Sequence, residues 1–269
     1  ITRAENQLLS RKASELADKI GAPVRIIELG CGSGEKMVTL LRACQTFRKK
    51  TSVHLVDVSS TALAWSEQRL REFEKTLVVT HQLDYEEGLQ MASAHRRPEE
   101  TLLVMFLGSN LGNRDTLSSI ELLQSIRNKL EVGDALLLGI DLVKPEEELL
   151  KAYDDPLGVT AAFNKNLLLR INTELGGDFN LNHFKHRIIW NHEAARIEMH
   201  LVSTKNQEVF IPLADCKASF TVGESIWTES SYKFEIQTIV DLVEKASFSS
   251  CEQWVDQEAS FSLTLFSAS

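Results

Sequence analysis

The stretch Glu28-Leu29-Gly30-Cys31-Gly32-Ser33-Gly34 joins two segments with different patterns of apolar residues. Residues 24–29 are typical of a buried strand, and residues 37–43 have the apolar spacing of a helix. Glycine tolerates the positive φ of a tight turn and lets the backbone come close to a bound molecule. A strand, a glycine turn and a helix together predict the first unit of a doubly wound sheet, which binds ligands where its strands end.

The same strand-then-helix pattern repeats along the first half of the chain. A helix is predicted over residues 4–20, and further strands are predicted at residues 52–58, 77–82, 102–107 and 135–141, with helical stretches after each strand. Five short apolar strands alternating with helices predict a parallel sheet that is covered on both faces. The fold class is therefore α/β, a doubly wound and mostly parallel sheet of the Rossmann-like type.

After Asp141 the pattern changes to that of an added α+β module. A helix is predicted at residues 158–175, and antiparallel strands with alternating polarity at residues 186–190, 196–203 and 207–212. A helix at 236–246 and strands at 251–255 and 261–266 could complete the main sheet. We therefore assign residues 1–157 and 235–269 to the sheet core and residues 158–234 to a substrate-recognition module.

Composition restricts the partners that this chain can have. Its 269 residues carry a net charge of −9 at pH 7, which opposes the broad basic surface that binds nucleic acid. Cys31, Cys44, Cys216 and Cys251 lack zinc-ligand spacing, so we expect reduced structural thiols and no metal. No apolar run reaches the roughly 18 residues of a membrane span, and no leader opens the chain. We expect a cytoplasmic monomer that acts on a small molecule.

Four side chains near the glycine turn suit a nucleoside cofactor. Asp57 ends the second strand, where a carboxylate can accept hydrogen bonds from both ribose hydroxyls. Asp84 and Tyr85 follow the third strand and could bind the amine and the face of an adenine. Lys36, at the helix that follows the glycine turn, could pair with a ligand carboxylate. Taken singly, Asp57 could be the residue that caps a helix and Lys36 a solvated lysine. Asp84 and Tyr85 could belong to a surface turn.

A dinucleotide is the main alternative ligand for the glycine turn. Its G-x-G-x-x-G fingerprint requires glycine where this chain has Glu35. The carboxylate of Glu35 also stands at a helix N-terminus, where it would repel a pyrophosphate. We therefore predict S-adenosylmethionine rather than NAD, and a glycine-rich turn without a ligand is the third possibility.

Longer strings give the chain a more specific resemblance. They are Thr2-Arg3-Ala4-Glu5, Glu28-Leu29-Gly30, Phe106-Leu107-Gly108-Ser109-Asn110-Leu111-Gly112-Asn113, Tyr153-Asp154-Asp155, Gly158-Val159-Thr160-Ala161-Ala162-Phe163-Asn164, Ile197-Glu198-Met199-His200-Leu201 and Thr228-Glu229-Ser230-Ser231. In this order, across nearly the whole chain, the sequence resembles the histidine-specific Nα-methyltransferases of ergothioneine biosynthesis. Members of this family make hercynine by three successive methylations of histidine.

The resemblance implies a role for each matching residue. The residues implied to hold S-adenosylmethionine are Gly30, Lys36, Asp57, Asp84 and Tyr85. Asn113 and Tyr153 are implied to hold the amino and carboxylate end of the substrate and so to position it for catalysis. The residues implied to meet the side chain of the substrate are Glu229 and Ser231 at the imidazole, with Met199 and Gly108 lining the pocket.

The residue types at the imidazole favour histidine over tryptophan. Glu229 can accept from a ring N–H and Ser231 can donate or accept at the other ring nitrogen, whereas indole offers one donor and no acceptor. Related fungal enzymes methylate prenylated tryptophan, so another amino acid remains the first alternative substrate. A non-catalytic module that binds S-adenosylmethionine within a larger protein is the second alternative.

Several of these residues also have simpler structural interpretations. Asn113 could cap the helix that runs to Leu130, Glu229 could face solvent on a strand, and Met199 could belong to the core. His200 should face away from Met199, because side chains alternate along a strand. The chain begins at Ile1, just after the place of a tyrosine-rich segment that helps family members to close over the substrate. No general base is predicted.

Overall fold

The computed structural model describes residues 1–46 and 50–268. The helices in chain order are α1 (Thr2–Lys19), α2 (Glu35–Thr46), α3 (Ser60–Leu70), α4 (Tyr85–Ser93), α5 (Thr116–Arg127), α6 (Glu146–Tyr153), α7 (Val159–Leu175) and α8 (Ile236–Lys245). The strands are β1 (Val24–Leu29), β2 (Thr51–Val56), β3 (Leu77–His81), β4 (Thr101–Phe106), β5 (Ala135–Asp141), β6 (Phe184–Asn191), β7 (Arg196–Ser203), β8 (Gln207–Ile211), β9 (Cys216–Phe220), β10 (Ser225–Tyr232), β11 (Ser249–Asp256) and β12 (Phe261–Ser267).

These elements form two compact units. The first comprises Ile1–Leu142 and Phe234–Ser269, and the second comprises Val143–Lys233. The sequence pattern predicts the first boundary after residue 157, but the contacts place it after Leu142. The reason is that α6 packs on β6 and therefore belongs to the second unit.

The first unit is built on a seven-stranded sheet in the order β11-β12-β5-β4-β1-β2-β3. Strands β1 to β5 run parallel, while β12 pairs antiparallel with both β5 and β11. The predicted doubly wound and mostly parallel fold is thus confirmed, and so is the return of the chain's last strands to the main sheet. Helices and turns follow the carboxyl ends of β1, β2, β3 and β4. The glycine turn and the residues predicted to bind the nucleoside, Asp57, Asp84 and Tyr85, therefore lie at the same edge of the sheet.

The core of the first unit explains why the apolar patterns predicted its elements. All six residues of β1 are buried, as expected for a central strand with both faces covered. On α1, Leu9 and Leu16 are completely buried, and each contributes ~2 kcal/mol through the apolar area that it removes from water. These leucines lie in one apolar cluster with residues of α2 and of the central strands, which fixes α2 behind the glycine turn.

The second unit has an antiparallel sheet of three strands in the order β10-β7-β6, and a separate hairpin of β8 and β9. The expected strands at 186–190, 196–203 and 207–212 are present; β6 pairs with β7, and β8 pairs with β9. Phe179, Phe184 and Phe220 pack ring against ring beneath α7 and close the apolar core of this unit.

The cysteines and the helices bear on two expectations drawn from composition. Cys31 and Cys44 are buried in the apolar core of the first unit, as expected of structural cysteines. Cys216 is free but exposed at the start of β9, so it does not support the core; the side chain of Cys251 lies outside the described residues. Within residues 1–46 and 50–268, we find no helix that is long and apolar enough to cross a membrane.

Candidate functional site

The glycine turn after β1 leaves little room for a side chain at its first position. Gly30 has a φ of +76°, in the left-handed region that favours glycine. A Cβ atom at Gly30 would lie 3.1 Å from Asn110 Nδ2 and 3.2 Å from Tyr85 Oη. At Gly32, by contrast, a Cβ atom would have no other heavy atom within 4 Å. The turn is therefore open at its tip, while Asn110 and Tyr85 stand close to its first glycine.

Asp57 is bonded both to this turn and to the residue that caps the next helix. Its Oδ2 accepts from Gly32 N at 3.3 Å, and its Oδ1 accepts from Ser59 N at 2.9 Å. The cap of α3 is Ser59, whose Oγ accepts from Ala62 N, so Asp57 is not the capping residue. The carboxylate is thus held beside the place where the chain leaves β1.

Asp84 and Tyr85 lie at the wall of a cavity of about 390 Å³ that Asp57 and Arg114 also line. Asp84 caps α4, because its Oδ1 accepts from the backbone N–H groups of Glu86 and Glu87. The Tyr85 ring packs edge-on against Phe106 at 5.2 Å, and burial raises the pKa of its hydroxyl. Asp84 is therefore the cap of α4, and the same turn places Asp84 and Tyr85 beside the cavity.

Glu28 is a buried carboxylate beside the glycine turn, and its sequence pattern did not predict a role in binding the cofactor. It is 1% exposed on β1, and neither carboxylate oxygen has a hydrogen-bond partner among the residues that the structure describes. Burial raises its pKa to about 8; Lys36 opposes this shift, and the charges of Glu5 and Asp57 add to it. A buried carboxylate without a partner is costly, so this position calls for a cation or a donor from a ligand.

Lys36 is held by a second buried carboxylate. Its Nζ donates to Glu5 Oε2 at 2.9 Å, and Glu5 Oε1 accepts from Gly108 N at 2.7 Å. Glu5 is fully buried, and a side chain at Gly139 would collide with it. Lys36 is therefore aimed at the loop after β4, where it can still meet a ligand carboxylate.

The loop after β4 carries Gly108 and Asn113. Gly108 has a φ of +80°, and Ser109 shares the left-handed conformation with a φ of +58°, which is strained for a serine. A hydrogen bond stabilises this conformation, because Ser109 Oγ accepts from Asp141 N at 3.0 Å. Asn113 is exposed at the end of a 3₁₀ turn and does not cap the next helix, since Asp115 accepts from Ser118 N there.

In the second unit, a β-bulge decides which face Glu229 occupies. Trp227 on β10 pairs with His200 on β7, but Glu229 pairs with Met199, so Thr228 is an extra residue. Because neighbours on β7 point to opposite faces, Glu229 shares the face of Met199, while Trp227 stacks on His200 on the other face. His200 thus faces away from Met199, as predicted.

Tyr153 and Ser231 are in direct contact, and Lys233 joins them. Tyr153 Oη lies 2.7 Å from Ser231 Oγ, and Lys233 Nζ donates to each of these oxygens at 2.8 Å. Tyr153 ends α6, and its backbone oxygen lies 2.9 Å from Nε2 of His186, which fixes its place. No sequence motif pointed to Lys233, which stands one residue past the end of β10 and two residues after Ser231.

Glu229 and Met199 differ in burial although they are strand partners. Glu229 is half-buried, and burial raises the pKa of its carboxyl while the charge of Lys233 lowers it. Met199 is 3% exposed and packs with Leu149 and Ile197, so it is a core residue of this unit. Tyr153 packs against the same cluster, which gives its ring a rigid support.

Comparison with known proteins assigns the chain to a family. The model of the S-adenosylmethionine-dependent, histidine-specific methyltransferases matches residues 1–268. The histidine N-alpha-methyltransferase of Mycolicibacterium smegmatis is 36% identical over 266 residues, which cover 98% of this chain and 81% of that protein. This chain is a histidine-specific, S-adenosylmethionine-dependent methyltransferase by family.

A more distant relative and one solved structure are also similar to this methyltransferase. Ergothioneine biosynthesis protein 1 of Schizosaccharomyces pombe is 26% identical over 269 residues, 96% of this chain and 34% of that protein. The crystal structure of an S-adenosylmethionine-dependent methyltransferase from Clostridium acetobutylicum superposes with a TM-score of 0.51 at 12% identity, over 98% of this chain and 91% of that chain. The second likeness shows that the methyltransferase has the class I fold, to which its antiparallel strands are added.

The cofactor of this methyltransferase family fits the first unit. S-adenosylmethionine carries a sulfonium, an ammonium and one carboxylate, and the turn presents the unpartnered carboxylate of Glu28 together with the cation of Lys36. Gly30 leaves a space that any Cβ atom would narrow, and Asp57 stands beside it. The donors and acceptors present thus match the charges of the cofactor in kind.

Proposed function

We propose that this chain transfers methyl groups from S-adenosylmethionine to the α-amino group of free L-histidine. Three successive transfers give hercynine, the betaine from which ergothioneine is made. The observation that carries this proposal is the pair formed by Glu229 and Ser231, an acceptor and a hydroxyl on one face of β10, in a chain of the histidine-specific family. The partner is a small molecule, and the working state we propose is a cytoplasmic monomer.

The first unit is proposed to bind the cofactor and the second to recognise the substrate. Gly30, Lys36, Asp57, Asp84 and Tyr85 are the proposed cofactor residues. Asp57 suits the ribose hydroxyls because a carboxylate can accept from both, and Asp84 keeps Oδ2 for a donor beyond its own helix. The carboxylate of Glu28 adds a favourable charge for a cationic ligand.

Histidine is proposed to be recognised at both of its ends. Glu229 accepts from a ring N–H, Ser231 meets the other ring nitrogen, and Met199 packs beneath the ring. Asn113 and Tyr153 hold the amino and carboxylate end, with Gly108 lining the pocket. Indole lacks the second ring nitrogen, so this set supports histidine rather than tryptophan.

The role of these residues in catalysis is positioning. S-adenosylmethionine supplies a methyl group on a sulfonium leaving group, and the reaction is an in-line displacement by a neutral amine. Asn113 and Tyr153 would hold the amine so that its lone pair lies behind the methyl carbon, which can be worth several kcal/mol. Desolvation of the amine beside a cation also favours its neutral form.

A product assay tests this function directly. The protein is incubated with isotopically labelled S-adenosylmethionine and a mixture of free amino acids, and the masses of labelled products are read. We expect mono-, di- and trimethylated histidine in sequence. A labelled tryptophan would transfer the proposal to that substrate, and binding of S-adenosylmethionine without any product would favour a non-catalytic module.

Replacement of Asn113 tests the positioning role. Asn113→Ala should abolish turnover, by more than about 100-fold, because the amine is no longer held in line. Binding of S-adenosylmethionine, measured by calorimetric titration, should change little, since Asn113 is exposed and caps no helix. Unchanged turnover would rule out the role of Asn113.

A further inference from the structure

Three polar groups form a closed triangle on one face of the second unit. Tyr153 Oη and Ser231 Oγ are 2.7 Å apart, and Lys233 Nζ lies 2.8 Å from each. Ser231 is 7% exposed and Lys233 is 3% exposed, so bulk water does not compete for these bonds. A lysine is almost never buried so deeply without partners that use its charge.

The triangle restricts what each hydroxyl can offer to a ligand. The Lys233 ammonium has no lone pair, so it donates to both oxygens and occupies one acceptor position on each. The bond between Tyr153 and Ser231 uses the proton of one hydroxyl and leaves the other proton free. Only one of the two hydroxyls can therefore donate out of the triangle at a time.

Chemistry decides which hydroxyl keeps its proton for the ligand. A phenol is a better hydrogen-bond donor and a poorer acceptor than an aliphatic alcohol, because its oxygen lone pair is delocalised into the ring. Tyr153 therefore donates to Ser231. Ser231 Oγ then accepts from both Tyr153 and Lys233, its two acceptor positions are filled, and its own O–H points outward as a donor.

We propose that Lys233 is a specificity-determining positioning residue that makes Ser231 a hydrogen-bond donor to the bare nitrogen of a neutral imidazole. This inference rests on the proposed histidine substrate. Glu229, on the same face, accepts the N–H of that ring, so the two positions require one donor and one acceptor from the ligand. Tyr153 Oη, which has directed its proton to Ser231, retains only acceptor capacity and suits an N–H of the substrate amine.

This arrangement rejects rings that lack a bare nitrogen. An indole or a pyrrole would leave the Ser231 hydroxyl without an acceptor in a place that water reaches poorly. A buried donor left unpaired costs more than an average hydrogen bond contributes, which is why polar pockets discriminate against such analogues. Without Lys233, Ser231 and Tyr153 could exchange donor and acceptor roles, and the discrimination would weaken.

The test compares histidine with two analogues, 3-(pyrrol-2-yl)alanine and 3-(pyrrol-3-yl)alanine. Each keeps one ring N–H and replaces the other ring nitrogen with C–H. Dissociation constants are measured by calorimetry with S-adenosylhomocysteine present, for the unmodified protein, Lys233→Met, Lys233→Arg and Ser231→Ala. Lys233→Met removes the donor group at similar length, and Lys233→Arg keeps charge and donors.

We expect Lys233→Met to lower the preference for histidine over the better pyrrole about tenfold, the size of one hydrogen bond. Ser231→Ala should lower it equally, and adding Ser231→Ala to Lys233→Met should lower it no further. Lys233→Arg should keep the preference within about threefold. If Lys233→Met does not bind S-adenosylmethionine normally, Lys233→Gln replaces it and the same ratio decides.

Two results would overturn the inference about Lys233. One is an equal loss of affinity for histidine and both pyrroles, which would show a merely structural lysine. The other is an unchanged preference in a folded Lys233→Met protein. If the unmodified protein methylates no histidine at all, the proposed function fails instead, and the two failures are thereby separated.

Discussion

The glycine turn of the first unit and the hydroxyl triangle of the second unit treat polar groups in opposite ways. Beside the turn, Glu28 is buried with both oxygens unpartnered within the described chain, and the tip at Gly32 is open. In the triangle, by contrast, Tyr153, Ser231 and Lys233 bond to one another. The first region lacks a charge that a ligand can supply, and the second has already used most of its hydrogen-bonding capacity.

This difference separates affinity from specificity. An unpartnered buried carboxylate favours any cation that fits, so the cofactor region gains binding energy from charge. A set of groups bonded to one another offers a fixed pattern of donors and acceptors, so it selects among ligands of similar shape. We expect substitutions at the turn to change cofactor affinity, and substitutions in the second unit to change the choice of amino acid.

The largest effect is expected from Gly30→Val. Its Cβ atom would lie 3.1 Å from Asn110 Nδ2 and 3.2 Å from Tyr85 Oη, which is close for a carbon atom. A β-branched residue is also strained at a φ of +76°. Affinity for S-adenosylmethionine should fall at least 100-fold in a calorimetric titration. The matched control is Gly32→Ala in the same turn, whose Cβ atom has open space, and it should lose less than tenfold.

Equal losses for Gly30→Val and Gly32→Ala would contradict the idea that space at Gly30 decides binding. Thermal unfolding of both variants separates binding from folding, because a positive φ is unfavourable for both residues. A Gly30→Val protein that unfolds normally and binds the cofactor normally would remove the turn from the proposed site.

A smaller effect is expected from Glu229→Ala, which breaks the pattern of the second unit. Catalytic efficiency with histidine should fall about 30-fold, the size of a hydrogen bond to a charged group, and the preference for histidine over tryptophan should fall with it. Ser230→Ala is the matched control, because Ser230 pairs with Glu198 and therefore lies on the opposite face of β10. It should change efficiency less than threefold, and binding of S-adenosylmethionine should be normal in both variants.

Local pattern was sufficient to predict the first unit. Residues 24–29 and 135–141 were predicted as strands with the bounds that β1 and β5 have, because central parallel strands are buried on both faces. The start of α3 is also set locally, because Ser59 Oγ accepts from Ala62 N three residues later. In this region short-range signals and the tertiary structure agree.

Irregular strand pairing and unexpected burial limited the prediction of the second unit. The pairing of β8 with β9 depends on a hairpin partner whose residues, Cys216–Phe220, show only weak alternation. The bulge at Thr228 reverses which residues of β10 share a face, and a simple period of two cannot reveal it. Lys233 was missed because a single lysine is ordinarily a surface residue, and only its burial with two hydroxyls marks it.

The last expected effect concerns the stability of the protein without ligand, in the variant Glu28→Gln. Burial raises the pKa of Glu28 to about 8 from its ordinary 4.5, so below pH 4.5 the side chain is protonated in both the folded and unfolded states. Between these values the unfolded chain releases a proton that the folded protein keeps, and the free energy of unfolding falls as the pH rises. Above about pH 8 this loss is complete and constant.

Glu28→Gln should therefore match the unmodified protein at pH 4 and exceed its stability at pH 8.5. The protonated acid and the amide are both neutral polar groups, so their burial costs about the same at pH 4. The gain at pH 8.5 is then the cost of ionising Glu28 in the folded protein, at most about 5 kcal/mol. Urea unfolding at the two pH values measures it. Affinity for S-adenosylmethionine should change in the opposite direction, since the variant no longer offers a negative charge to a cation. A variant that loses both stability and affinity at pH 8.5 would show that Glu28 supports the fold, and the contrast between the two regions would then have to rest on Gly30 and Asp57 alone.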